Sequence, residues 1–122
     1  MKRPRILYGD DEVINLELLQ LTFMNDFTVL TAESAEEGLE LLALNPGIRV
    51  LISDLKMPVM NGLDFIKVVK KRDPGIICML LTGFMESDVM LEGFNKELIF
   101  RYLMKPWEKE QLQETILEAL KR

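Results

Sequence analysis

Short apolar runs alternate along the chain with longer segments whose apolar residues recur at helical spacing. Ile6-Leu7-Tyr8 is followed at once by Gly9-Asp10-Asp11, and Glu12 to Met24 then reads as a helix. Phe27 to Ala32 is rich in Thr and Val and reads as a strand. Ser34 can cap the next helix, with Glu37 completing a capping box, and Asn45-Pro46-Gly47 stops it after about Leu44. Arg49 to Ser53 reads as a strand ending at Asp54. Pro58 and Asn61-Gly62 punctuate a loop, and Leu63 to Arg72 forms a helix that stops before Pro74. Ile76 to Leu81 is a strand ending at Thr82-Gly83, and Glu86 to Asn95 is a weaker helix. Leu98 to Met104 is a strand ended by Lys105-Pro106, and Glu108 to Lys121 is the last helix.

Strand and helix thus alternate five times, which implies parallel pairing through right-handed crossovers. Val50-Leu51-Ile52 and Ile76 to Leu81 are apolar without alternation, as central strands covered on both faces must be. Arg101 interrupts the last strand, which suits a sheet edge. The pattern predicts an α/β domain, with a doubly wound five-stranded parallel sheet flanked by five helices, over residues 1–122.

Composition narrows the chemistry. The 122 residues are too few for two ordinary domains, and 48% hydrophobic with 29% charged residues points to a packed core rather than disorder. A net charge of −5 argues against the basic surface that direct nucleic-acid or anionic-membrane binding requires. The chain has no histidine, which removes His-based acid–base catalysis, Ser-His and Cys-His triads, and most zinc sites. Cys78 is the single cysteine and lies in an apolar run, so it reads as a small buried hydrophobe rather than a reactive thiol. The N-terminus breaks into charge at once, no spanning segment is visible, and a cytoplasmic location is expected.

The remaining polar residues gather in one kind of place. Asp10 and Asp11 follow the first strand, Asp54 ends the third, Thr82 ends the fourth and Lys105 follows the fifth. Ligands of open parallel sheets bind outside the carboxyl ends of the strands, where strand order reverses. Taken alone, an Asp-Asp pair is more often a solvated turn than a metal site. Together, three carboxylates in one crevice raise each other's pKa unless a cation is present, and hard oxygen ligands suit Mg²⁺. A carboxylate can itself act as a nucleophile toward phosphorus, with Lys105 and the metal balancing charge and Thr82 donating to a phosphoryl oxygen.

Asp10-Asp11, Asp54 with Met57-Pro58 and Asn61-Gly62, Thr82-Gly83 and Lys105-Pro106 resemble, in order and spacing, the receiver domains of two-component response regulators (CheY-like). The resemblance covers essentially the whole chain. It implies a flavodoxin-like sheet of order 2-1-3-4-5 and a phosphorylation-dependent switch with Asp54 as phosphoacceptor. Asp11, Asp54 and the backbone carbonyl of Lys56 would hold Mg²⁺ directly, and Asp10 would assist through water. Thr82 and Lys105 would bind the phosphoryl group, Thr82 and Tyr102 would form the switch, and the Lys105-Pro106 bond would be cis. The implied partners are a histidine kinase or phosphotransfer protein and a downstream protein or fused output domain. A phosphorylation-dependent dimer is a further option, and no direct nucleic-acid or membrane contact is expected of this domain.

Local features extend the reading. In the helix after Asp11, Leu16, Leu19 and Phe23 form one apolar stripe, and Ile14, Leu18 and Leu21 form another on the opposite face. The second stripe, with Phe84, is a candidate kinase-docking patch; cover by a neighbouring element is the competing reading. Lys56 and Phe84 lie two residues after Asp54 and Thr82, where the family's hydrolytic water approaches, and would either slow that water or face solvent. The run Phe100 to Trp107 is similar to receivers joined to signalling-output domains, although Trp107 also fits as packing for the last helix. The helix containing Gly93 lacks a clear cap and is expected to be the least stable. The alternative is a Mg²⁺-dependent aspartate-nucleophile phosphatase. Those enzymes carry a second Asp two residues after the nucleophile, where this chain has Lys56.

Overall fold

The computed structural model describes residues 3–83 and 98–122. The elements are β1 (Arg5–Gly9), α1 (Val13–Phe23), β2 (Thr28–Ala32), α2 (Ala35–Leu44), β3 (Ile48–Asp54), α3 (Gly62–Arg72), β4 (Ile77–Thr82), β5 (Arg101–Met104) and α4 (Lys109–Leu120). All five strands pair in parallel in the order β2-β1-β3-β4-β5, as expected. The helix expected over Glu86–Asn95, with Gly93, lies outside the described residues, as does Phe84.

Period-2 alternation divides each strand between two cores. Leu7, Leu51, Cys78 and Leu80 face one way and pack with Phe65, Ile66 and Val69 of α3 and with Ala35 of α2. Ile6, Tyr8, Val50, Ile52, Met79 and Leu81 face the other way, against Leu16, Leu19 and Phe23 of α1 and Leu112, Ile116 and Ala119 of α4. β3 and β4 are buried along nearly their whole length because helices cover both faces. β5 is the edge, and its Arg101 reaches out to Glu118 at 3.0 Å. The fifth strand is shorter than Leu98–Met104, because register with β4 begins only where Arg101 meets Met79. Ile99 is instead buried in the α2–α3 core.

The predicted helix signals act locally. Ser34 Oγ accepts the Glu37 N–H at 3.1 Å, while Glu37 Oε1 accepts the N–H of Glu33 at 3.2 Å rather than that of Ser34. Asn61 caps α3 by accepting the Asp64 N–H at 2.9 Å. Cys78 is buried, and burial, offset only weakly by Lys70, pushes its thiol up to about 12, so it stays a protonated core residue.

Candidate functional site

The carboxyl ends of β1, β3, β4 and β5 meet in one crevice, beside the reversal of strand order at β1 and β3. Asp10, Asp11 and Asp54 each place a carboxylate oxygen within 4.8 Å of the others. Asp10 is fully buried, Asp54 is 7% exposed and Asp11 is exposed. The first two are therefore held by the fold, and the third opens to solvent.

Backbone hydrogen bonds fix these positions. The Leu55 N–H donates to the Leu81 carbonyl at 2.9 Å and the Gly62 N–H to the Leu55 carbonyl at 2.8 Å, so the chain turns sharply just after Asp54. A β-carbon on Gly62 would stand 2.1 Å from the Asp54 carbonyl oxygen, which explains why glycine follows Asn61. Ser53, fully buried, donates its hydroxyl to the Asp54 carbonyl at 3.0 Å. The Lys105 N–H donates to the Thr82 carbonyl at 2.8 Å, which sets the lysine beside the end of β4, and the Lys105-Pro106 bond is cis.

Charge is concentrated here. Lys105 Nζ lies 3.0 Å from Asp54 Oδ1 and 3.3 Å from Asp10 Oδ2. Burial raises the pKa of Asp54, and the fields of Asp10 and Asp11 add to it, while Lys105 pulls it down. For Lys105 itself burial acts downward, but hydrogen bonding and attraction to Asp54 and Asp10 outweigh it and the pKa rises. The Lys105 ammonium stands where positive charge is needed, and one lysine leaves three carboxylates only partly balanced. An all-oxygen donor set of this spacing fits a hard divalent cation.

Thr82 is 3% exposed, on the same face of the sheet as Leu80. Tyr102 pairs with Leu80 in register and is half-buried, and burial raises its pKa. Lys56 is exposed. Ile14, Leu18 and Leu21 are 72%, 56% and 68% exposed, so no described element covers the second stripe of α1. Trp107 packs on Phe23 of α1, with ring centroids 5.7 Å apart. With Tyr8, Asn15, Leu18, Lys105 and Pro106 it lines an open groove between α1 and the segment after β5.

Two participants are not singled out by any motif in the sequence. Tyr8 donates its hydroxyl to Asp10 Oδ2 at 2.6 Å, and Asn15 Nδ2 donates to the same oxygen at 3.2 Å. Tyr8 looks like one more apolar strand residue. Asn15 lies one helical turn beyond Asp11, which was a weak hint.

These features define a doubly wound α/β domain that gathers carboxylates, a lysine and a threonine at the carboxyl ends of its strands. The chain belongs to the response regulator receiver domain family, whose model matches residues 6–117. It is 34% identical over 119 residues to the hydrogenase transcriptional regulatory protein HoxA of Cupriavidus necator, covering 98% of this chain and 24% of that protein. It is 31% identical over 121 residues to a chemotaxis protein CheY homolog of Campylobacter jejuni, covering 95% of this chain and 92% of that protein. The crystal structure of a response regulator receiver domain protein from Clostridium thermocellum is 35% identical, with TM-score 0.89 and coverage of 97% and 94% of the two chains. The chain spans about a quarter of the length of HoxA and of several other regulators it matches. Receiver domains are phosphorylation-dependent signalling switches with kinase input and an output domain or partner, so the phosphatase alternative is not favoured. Among the described residues, no helix is long and apolar enough to cross a membrane.

Proposed function

We propose that residues 1–122 form one receiver unit, which takes a phosphoryl group onto Asp54 from a phosphohistidine on a histidine kinase or phosphotransfer protein. The observation that carries this reading is the buried Asp54 carboxylate at the end of β3, 3.0 Å from the Lys105 ammonium and clustered with Asp10 and Asp11. A carboxylate oxygen of Asp54 attacks phosphorus, the O–P bond forms as the N–P bond of the donor breaks, and the leaving nitrogen takes up a proton. Asp11, Asp54 and the Lys56 carbonyl would hold Mg²⁺, with Asp10 assisting through water, and the ion would supply charge neutralisation at the phosphoryl oxygens. Lys105 then grips the phosphoryl group, and Thr82 donates to another of its oxygens.

The grip drives the switch. A shift from 1:99 to 99:1 requires about 5.5 kcal/mol of differential binding. Hydrogen bonds to a charged group contribute about 1.5–3 kcal/mol each, so Thr82 and Lys105 together supply about 3–6 kcal/mol. Lys105 gives up carboxylate contacts to make its new one, so its net share is the smaller. Thr82 moves inward and Tyr102 fills the space behind it. The protein acts in the cytoplasm and promotes its own phosphorylation and dephosphorylation without turning over another substrate. It passes the signal to a downstream protein or fused output domain, with dimerisation as one means. Ile14, Leu18 and Leu21, with Phe84, dock the phosphodonor.

The test is incubation with phosphoramidate and Mg²⁺. Stoichiometric labelling that Asp54→Asn abolishes supports the switch. Steady turnover of a phosphomonoester without retained label would favour a phosphatase instead.

A further inference from the structure

Asp10 is fully buried, and its carboxylate accepts from four donors. Oδ1 accepts the Glu12 N–H at 2.9 Å. Oδ2 accepts the Tyr8 hydroxyl at 2.6 Å, Asn15 Nδ2 at 3.2 Å and Lys105 Nζ at 3.3 Å. A carboxylate oxygen offers about two lone-pair sites, so Oδ2 has one donor more than it can fully serve. The donors differ in what else they do. Lys105 also stands 3.0 Å from Asp54 and is the one that phosphoryl chemistry draws away.

The core asks for no hydroxyl at position 8. Ile6, on the same face of β1, is aliphatic and fully buried, and the Tyr8 ring packs in that same core. Only the oxygen leaves the apolar layer, and it meets Asp10. Burial first, then the hydrogen bond to Asp10 and the fields of Asp10, Asp54 and Glu12, hold the phenol in its neutral, donating form.

We propose that Tyr8 is a positioning residue for phosphoryl capture. With Asn15 it keeps Asp10 Oδ2 supplied with two donors when Lys105 leaves Asp10 for the phosphoryl group on Asp54. With Phe at position 8, the same departure leaves a buried carboxylate oxygen with one donor, and the cost falls on the capture step. The inference rests on Asp54 as phosphoacceptor and Lys105 as phosphoryl ligand.

Beryllofluoride, a phosphoryl mimic, is titrated at saturating Mg²⁺ and its Kd read from the fluorescence of Trp107, the single tryptophan, which lines the same groove as Tyr8 and Lys105. The proteins compared are wild type, Tyr8→Phe, Lys105→Met and the double variant. Tyr8→Phe is expected to weaken binding about tenfold, the lower end for a hydrogen bond to a charged group. In the Lys105→Met background the same change should matter less than about twofold, because no lysine is left to release. Asn15→Ala, which leaves the core intact, should show the same dependence on Lys105 and keeps the test valid if Tyr8→Phe melts early. Wild-type affinity in Tyr8→Phe, or an equal loss in both backgrounds, overturns the inference while leaving Asp54 as phosphoacceptor. Failure of folded wild-type protein to bind beryllofluoride overturns both.

Discussion

Replacing Gly62 with alanine puts the geometry of Asp54, the proposed phosphoacceptor, under direct strain. The added β-carbon would lie 2.1 Å from the Asp54 carbonyl oxygen, 2.9 Å from its carbonyl carbon and 3.0 Å from Leu80 Cδ1. Ordinary contact begins near 3.4 Å, so the Asp54 peptide or the start of α3 must retreat by roughly 1 Å. Overpacking costs about 1–3 kcal/mol, and with backbone as the obstacle the upper end applies, or roughly 10 °C in Tm for a chain of this size. A 1 Å displacement of a reacting group can also cost about 100-fold in rate. Gly38→Ala is the control. Its β-carbon would meet the tip of the Phe65 ring at 2.5 Å, a side chain that can tilt, in the α2–α3 core, with no backbone of Asp54 in its way. Melting curves and phosphoramidate labelling rates of the two variants separate stability from geometry. Both should melt earlier, and only Gly62→Ala should label roughly 100-fold slower. A folded Gly62→Ala protein that labels at the wild-type rate would refute the claim that Gly62 positions Asp54.

Other expectations follow from single observations. Asp54 has a raised pKa, chiefly from burial, so its ionised form costs stability at neutral pH, and that cost fades as pH falls through the shifted pKa toward the usual 3.8. Asp54→Asn should therefore raise Tm at neutral pH in chelator, with the gain shrinking on acidification; a lower neutral Tm would contradict this. Lys105 has a raised pKa, so its contribution holds below its ordinary 10.5 and is lost only as pH climbs through the higher folded value, a loss that Lys105→Met should remove from alkaline melts. Val59 is fully exposed at φ 70, where a β-branched residue is strained, so Val59→Asn should gain about 1 kcal/mol in denaturant titrations. Leu18→Glu should slow phosphotransfer from a cognate kinase while sparing phosphoramidate, and equal loss with both donors would remove the α1 stripe as a docking patch.

How far the sequence reached follows from where information is local. The strand ends were legible because each apolar run stops on a polar residue, and parallel topology then forces Asp10, Asp54, Thr82 and Lys105 to one edge. The two stripes of α1 were legible from helical period, and their burial divides as the spacing implied. Contacts between distant residues were less so. Lys105 bridges to Asp10 across 95 positions, and its preference between two carboxylates is a matter of ångströms. Tyr8 passed as apolar because only one atom of its side chain is polar. Asn61-Gly62 read as loop punctuation, whereas Asn61 caps α3 and Gly62 makes room for a carbonyl. The late start of β5 depends on where β4 offers partners, which no local pattern encodes.

The central claim is that Asp54 carries the phosphoryl group, and the acyl phosphate can be trapped chemically. Protein phosphorylated with phosphoramidate and Mg²⁺ is reduced with borohydride, which converts an aspartyl phosphate to homoserine, and its peptides are sequenced by mass spectrometry. The account predicts homoserine at position 54 alone, and none without the phosphodonor. Homoserine at position 10 or 11, or none anywhere in a protein that retains label, would contradict it.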